Sequence, residues 1–90
     1  MNAAGATALE ALAHIARLIE EGGQITVGQL YPIECAAIAN DGHNSLAMLR
    51  RRPGETVPQM LARLDAAIAL AWNEERFTDE INPPMPSRRP

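Results

Sequence analysis

The chain has 90 residues, 47% hydrophobic and 21% charged, which allows one small domain and excludes a multi-domain enzyme. Eight Arg stand against eleven acids for a formal charge of −3, the opposite of the basic stripe with which duplex-binding domains displace counterions from phosphates. A single cysteine, Cys35, excludes an intrachain disulfide framework.

No apolar run approaches the ~20 residues of a membrane span, and the N-terminus lacks the basic flank of a signal peptide. A reduced, cytoplasmic protein is therefore expected, without membrane contact. The only aromatic residues are Tyr31, Trp72 and Phe77, so the core must be built from aliphatic side chains and alanine. All eight basic residues are Arg. Two readings stay open, a GC-rich coding sequence or retention of Arg for bidentate carboxylate contacts.

Thr7 and Glu10 have the spacing of a capping box, and Leu9, Leu12, Ala13, Ala16 and Ile19 follow as one apolar stripe, widened by Ile15 and Leu18. Gly22-Gly23 supplies a left-handed stop. The spacing predicts a helix over residues 7–21. Gln24-Ile25-Thr26-Val27 is β-branched and alternating, which predicts a short strand, and Tyr31-Pro32 predicts a turn or an extended connection.

Two apolar runs, Cys35–Ala39 and Ser45–Arg50, flank Asn40-Asp41-Gly42-His43-Asn44, whose residues tolerate positive φ. That pattern predicts a β-hairpin, although alanine is a poor strand former and Ala36–Ala39 fits strand or helix. Pro53-Gly54 then breaks the chain. Thr56 and Gln59 form a second capping-box pair with Pro58 in the first turn. Met60, Leu61, Leu64, Ala67, Ile68, Ala71 and Trp72 recur on one face of a predicted helix over 57–75, with Arg63, Asp65, Glu74 and Arg76 placed mostly elsewhere. The proline cluster of residues 83–86 cannot continue a helix, so residues 83–90 are expected to form a mobile tail beyond a single domain of residues 1–82.

The expected architecture is an α+β domain in α-β-β-β-α order. Two helices pack on one face of a small two- or three-stranded antiparallel sheet, because both apolar stripes need a surface to bury against. Its exposed edges leave a homodimer open.

Catalysis finds little footing. Cys35 and His43 would make a thiolate–imidazole pair only if the turn brought them together, and a cysteine in an alanine-rich run is ordinarily a small buried hydrophobe. His14 reads as a partly buried or surface residue of the first helix. Neither zinc nor calcium spacing is present, nor a glycine loop for phosphate. A non-enzymatic protein with no cofactor is expected.

The charges say more. Glu20 and Glu21 close the first helix, and Glu74 and Glu75 close the last one ahead of Asp79 and Glu80. Each helix thus carries carboxylates at the end where the macrodipole disfavours them. Residues 1–83 hold six Arg and all eleven acids, a balance of −5. Glu74, Glu75, Asp79 and Glu80, beside the turn residues Asn40, Asp41, His43 and Asn44, are the candidate partner-binding residues. They would meet a protein partner with a basic surface. Arg50-Arg51-Arg52 is the counter-feature and supports the alternative, a transcriptional or nucleic-acid-binding accessory role, although direct nucleic-acid contact is not expected.

Three stretches carry a resemblance: Asp41–Leu49 running on to Arg52–Thr56, Arg63–Ile68, and Phe77–Asn82. Over residues 36–82 the chain resembles small accessory proteins of bacterial phages and integrative mobile elements, a pool that includes anti-CRISPR inhibitors of type I systems. The resemblance implies a non-enzymatic inhibitor in the host cytoplasm. It would block a CRISPR surveillance complex by occupying a Lys/Arg-rich surface meant for DNA.

Overall fold

The computed structural model describes residues 12–82. The predicted Thr7–Glu10 capping box, Leu9 and the tail of residues 83–90 lie outside them. Helix α1 spans Ala13–Glu20, and Ile15 and Leu18 are its buried residues, with Leu12 packed against the same core. The predicted stripe is thereby rotated: Ala16 faces solvent and Ile19 is 52% exposed. A contact from outside the helix fixes that rotation. The Asp65 carboxylate accepts the Ile15 N–H at 2.8 Å, satisfying a first-turn donor that Leu12, having no polar side chain, leaves open.

Glycine ends α1 as expected, by two different means. Gly22, at φ +95°, donates to the Ile19 carbonyl, and Gly23 donates to the Leu18 carbonyl at 2.8 Å, the paired closure of a Schellman motif. Gly23 is needed for space: a Cβ there would stand 2.6 Å from Leu18 Cγ and 2.8 Å from the Asn40 carbonyl oxygen.

Three strands follow as an antiparallel meander, β1 (Gln24–Leu30), β2 (Ile33–Asn40) and β3 (Ser45–Arg50). The first turn is Tyr31-Pro32, joined by a cis peptide bond. Ala36–Ala39 is strand, which settles the open alternative. Ala37 lies opposite Leu49 and Ala39 opposite Ala47, and all four are buried in the main core. Small side chains there form a floor on which a helix can lie close, so packing overrides alanine's weak strand propensity.

Helix α2 spans Val57–Glu74 and opens on the expected capping box. Gln59 N–H donates to Thr56 Oγ1 at 3.1 Å, and Thr56 N–H donates to Gln59 Oε1 at 2.8 Å. Met60, Leu64 and Ile68 are fully buried, Ala67 and Ala71 nearly so, and Leu61 and Trp72 pack at the margin. Burial of the three large side chains is worth roughly 1.5–3 kcal/mol each. Asp65 is buried too, a correction to its expected place off this face.

After α2 the chain adds a strand that the sequence does not announce. β4, only Thr78–Asp79, pairs parallel to β3, with Thr78 opposite Ala47 and Asp79 opposite Met48. The sheet is therefore four-stranded and mixed, in the order β1-β2-β3-β4, where two or three antiparallel strands were expected. Two residues carry no periodicity, so the pairing comes from the β3–α2–β4 crossover and from the Glu80 N–H, which donates to the Met48 carbonyl at 2.7 Å. The class is α+β, with α1 and α2 contributing to one core on one face of the sheet.

Candidate functional site

The topology sorts the charged residues to the two ends of the sheet. Gln24 pairs with Asn40, and Asn40 with Ser45, so the Glu20–Gly23 turn and the Asn40–Asn44 turn share one end. α2 departs from the opposite end, where β3 finishes at Arg50, and its C-terminus returns to the first. Only Arg76 and Phe77 separate Glu75 from Thr78, which pairs with Ala47 near the start of β3. Glu20, Glu21, Asp41, Glu74 and Glu75 therefore belong to one end, and Arg50, Arg51 and Arg52 to the other.

At the acidic end the carboxylates are loosely held. Glu21 pairs with Arg17 at 2.9 Å, and Glu74 stands 3.9 Å from Arg76, all four side chains being more than half exposed. Glu75 is the α2 cap in the left-handed region at φ +55°, where a side chain meets the carbonyl that glycine avoids. The neighbouring turn is held by its own side chains. Asn40 Oδ1 accepts the Gly42 N–H, and Asp41 Oδ1 accepts the His43 and Asn44 N–H groups at 2.8 Å. Those backbone donors hold the Asp41 carboxyl below its usual range. The His43 ring and Asn44 side chain are exposed.

Asp79 and Glu80 do not join this group. Asp79 accepts the Ile81 and Asn82 N–H groups and the Asn82 side-chain amide, which lower its carboxyl's affinity for protons. Glu80, one residue further along the parallel strand, points into the arginine end. It meets Arg63 Nη1 at 2.9 Å and Arg52 at 3.5 Å, and it accepts the Arg50 N–H at 3.1 Å. Of the four acids expected to act together, Glu74 and Glu75 lie at the same end of the sheet as the turn, and Glu80 is neutralised by guanidinium neighbours.

Arg63 is the hub of that arginine end. Its Nε and Nη2 grip Glu55 at 2.6 and 2.9 Å, and Nη2 also donates to the Arg50 carbonyl. Glu55 in turn accepts the Arg52 N–H at 3.0 Å, and its carbonyl accepts Arg51 Nε at 2.7 Å. The Arg63 guanidinium, followed by the Arg52 N–H, pushes the Glu55 carboxyl down to about 2. The loop between β3 and α2 is thus laced to β4 by charge-assisted hydrogen bonds.

Beside this network Arg50, Arg51, Arg52, Gln29, Glu34 and Cys35 line an open groove of about 870 Å³. Among the described residues no carboxylate lies within ion-pair distance of the Arg50 or Arg51 side chains, whereas Arg17, Arg52 and Arg76 each have one and Arg63 has two. Cys35 is half-buried at this end, and His43 is in the turn beyond Asn40. The five residues of β2 between them span roughly 16 Å at ~3.3 Å per residue. They form no catalytic pair. Among the described residues no three His, Cys, Asp or Glu side chains are grouped to hold a metal ion.

A further cluster lies between the helices. His14 Nδ1 meets Asp65 Oδ2 at 2.9 Å, its ring stands 6.1 Å from Trp72, and Arg17 lies 4.7 Å over the Trp72 ring. Asp65 and Arg63 are the structurally decisive charges that pattern reading passes over. Asp65 had a signal, since Leu61, Asp65, Ile68 and Trp72 repeat at helical spacing; the Glu55–Arg63–Glu80 set had none, because only the crossover assembles it. No protein-family model, curated protein or solved structure matches the chain.

Proposed function

We propose that the protein is a non-enzymatic, stoichiometric binding module that meets a basic protein surface with its acidic end. The observation that supports this is the convergence of both helix C-termini, with Glu20, Glu21, Glu74 and Glu75, on the end that bears the Asn40–Asn44 turn. Carboxylates in the last turns oppose the macrodipole, and Glu75 adds a left-handed backbone. Neither helps the fold, so a cationic partner is the reading under which both features have a use. The resemblance over residues 36–82 directs the search to complexes that handle nucleic acids, where the module would act as an inhibitor by occlusion. Capture from host lysate identifies the partner. Charge reversal at Glu20, Glu74 and Glu75 is then expected to slow association and remove its salt sensitivity. Unchanged binding by the reversed protein refutes the acidic end as the interface.

The arginine groove favours a second reading, a nucleic-acid-binding accessory protein, because Arg50 and Arg51 lack carboxylate partners there among the described residues. Filter binding to duplex at low salt decides it. Micromolar affinity with a steep salt slope, lost in an Arg50→Ala/Arg51→Ala double variant, supports this reading, and no retention on the filter removes it.

A further inference from the structure

The two edges of the sheet are protected very differently. β4 is two residues long and is bounded by Asp79 and Glu80, whose carboxylates are engaged in a local turn and in the Arg63 network. Shortness and charge are the usual means by which an edge is kept from pairing with another chain. β1 has neither. It runs for seven residues, Gln24–Leu30, pairs on one side only among the described residues, and contains no charged residue. β2, β3 and β4 each contain at least one, namely Glu34, Arg50 and Asp79.

Ile25-Thr26-Val27 is a run of β-branched residues in regular register with Ala39, Ile38 and Ala37. The register irregularity falls later, between Gly28 and Leu30. Val27 is 39% exposed, and on α1, the helix that packs beside β1, Ile19 is 52% exposed. The outer N–H and C=O groups of β1 can be matched in full only by another extended strand.

From this contrast we propose that β1 is the interface of a two-fold homodimer, in which two copies join antiparallel through their β1 edges into one continuous eight-stranded sheet. A copy of the same strand is the occupant that fits a neutral edge, because a two-fold axis sets identical residues in mutual opposition and β1 brings no like charges together. An axis at Thr26 places Thr26 opposite Thr26 and Ile25 opposite Val27, which covers the exposed Val27 with a β-branched neighbour. The assembly rests on the β1 edge alone and stands or falls separately from the acidic-end reading.

Sedimentation equilibrium of the full chain between about 1 and 100 μM tests it. A monomer–dimer equilibrium is expected, weakened at least tenfold by Thr26→Lys, which opposes two ammonium groups across the axis. Lysine at the exposed α2 position Ala62 is expected to leave it unchanged, with circular dichroism showing that both variants are folded. In a Cys35→Ala background, Thr26→Cys should oxidise to a covalent dimer, since directly opposed residues place their Cβ atoms about 4.5–5.5 Å apart, and Ser45→Cys should not. A chain that stays monomeric throughout, whether β1 is free or takes up another partner's strand, overturns the proposal. So does a dimer that Thr26→Lys leaves intact.

Discussion

The arginine end and the acidic end of the sheet use charge in opposite ways. At the arginine end, Glu55 and Glu80 converge on Arg63, which is 21% exposed, and the same groups bind the backbone N–H groups of Arg50 and Arg52. Both of these carboxylates have a structural task, whereas Glu34, which also lines that end, is exposed. At the acidic end, Glu20 has no close basic neighbour among the described residues, Glu74 stands 3.9 Å from Arg76, and Glu75 occupies a backbone region better suited to glycine. Charge that is multiply hydrogen-bonded fixes a fold, and charge left in solvent contributes little to it. The contrast is the reason the acidic end is proposed as the interface.

The strongest way to break the comparison is to remove the hub. Arg63→Ala leaves the partly buried Glu55 and Glu80 without their shared cation, and should cost about 2 kcal/mol and lower Tm by roughly 10 °C, read by thermal denaturation. A comparable loss is expected from Asp65→Ala, which frees the Ile15 N–H and the His14 ring at once; helix caps and buried acceptors are worth about 1–2 kcal/mol each. If either variant melts with the wild type, the corresponding network is ornamental.

Acid sharpens the comparison further. Glu55 is held down to about 2, and Asp41 and Asp79 are also lowered, so the folded state binds fewer protons than the unfolded chain. The stability that these groups add is complete above their unfolded pKa values near 4, and it is lost as pH falls through the folded ones. Urea midpoints should therefore decline between pH 4.5 and 2, and the Glu55→Gln protein should show a shallower decline over the same range.

Smaller effects belong to the acidic end. Glu75→Gly relieves the left-handed cap and should raise stability by about 0.5–1 kcal/mol, in spite of glycine's greater freedom when unfolded. Charge reversal at Glu20 and Glu74 should shift stability by no more than about 0.5 kcal/mol while partner association falls. A large stability change in those variants would show that the acidic end is structural after all.

Much of the architecture is legible in the sequence, for reasons that can be named. The Thr56–Gln59 cap, the α2 face from Met60 to Ala71, the Gly22-Gly23 stop and the Asn40–Asn44 turn are local devices, each specified within a few residues. What escapes is whatever depends on contacts distant in the chain. The rotation of α1 follows from Asp65, fifty residues away from the Ile15 it binds. β4 exists because the crossover returns the chain to Met48. The candidate site shows the same division. Glu74 and Glu75 lie at the same end of the sheet as the turn, whereas Glu80, one residue past the parallel strand, turns its carboxylate to Arg63 and Arg52.

The short strand β4 has a consequence in time. Residue 80 closes the circuit that joins Arg50, Glu55 and Arg63, so the loop between the meander and the long helix can be clasped only after both have been synthesised. The arginine groove therefore depends on a residue made later than every residue that lines it.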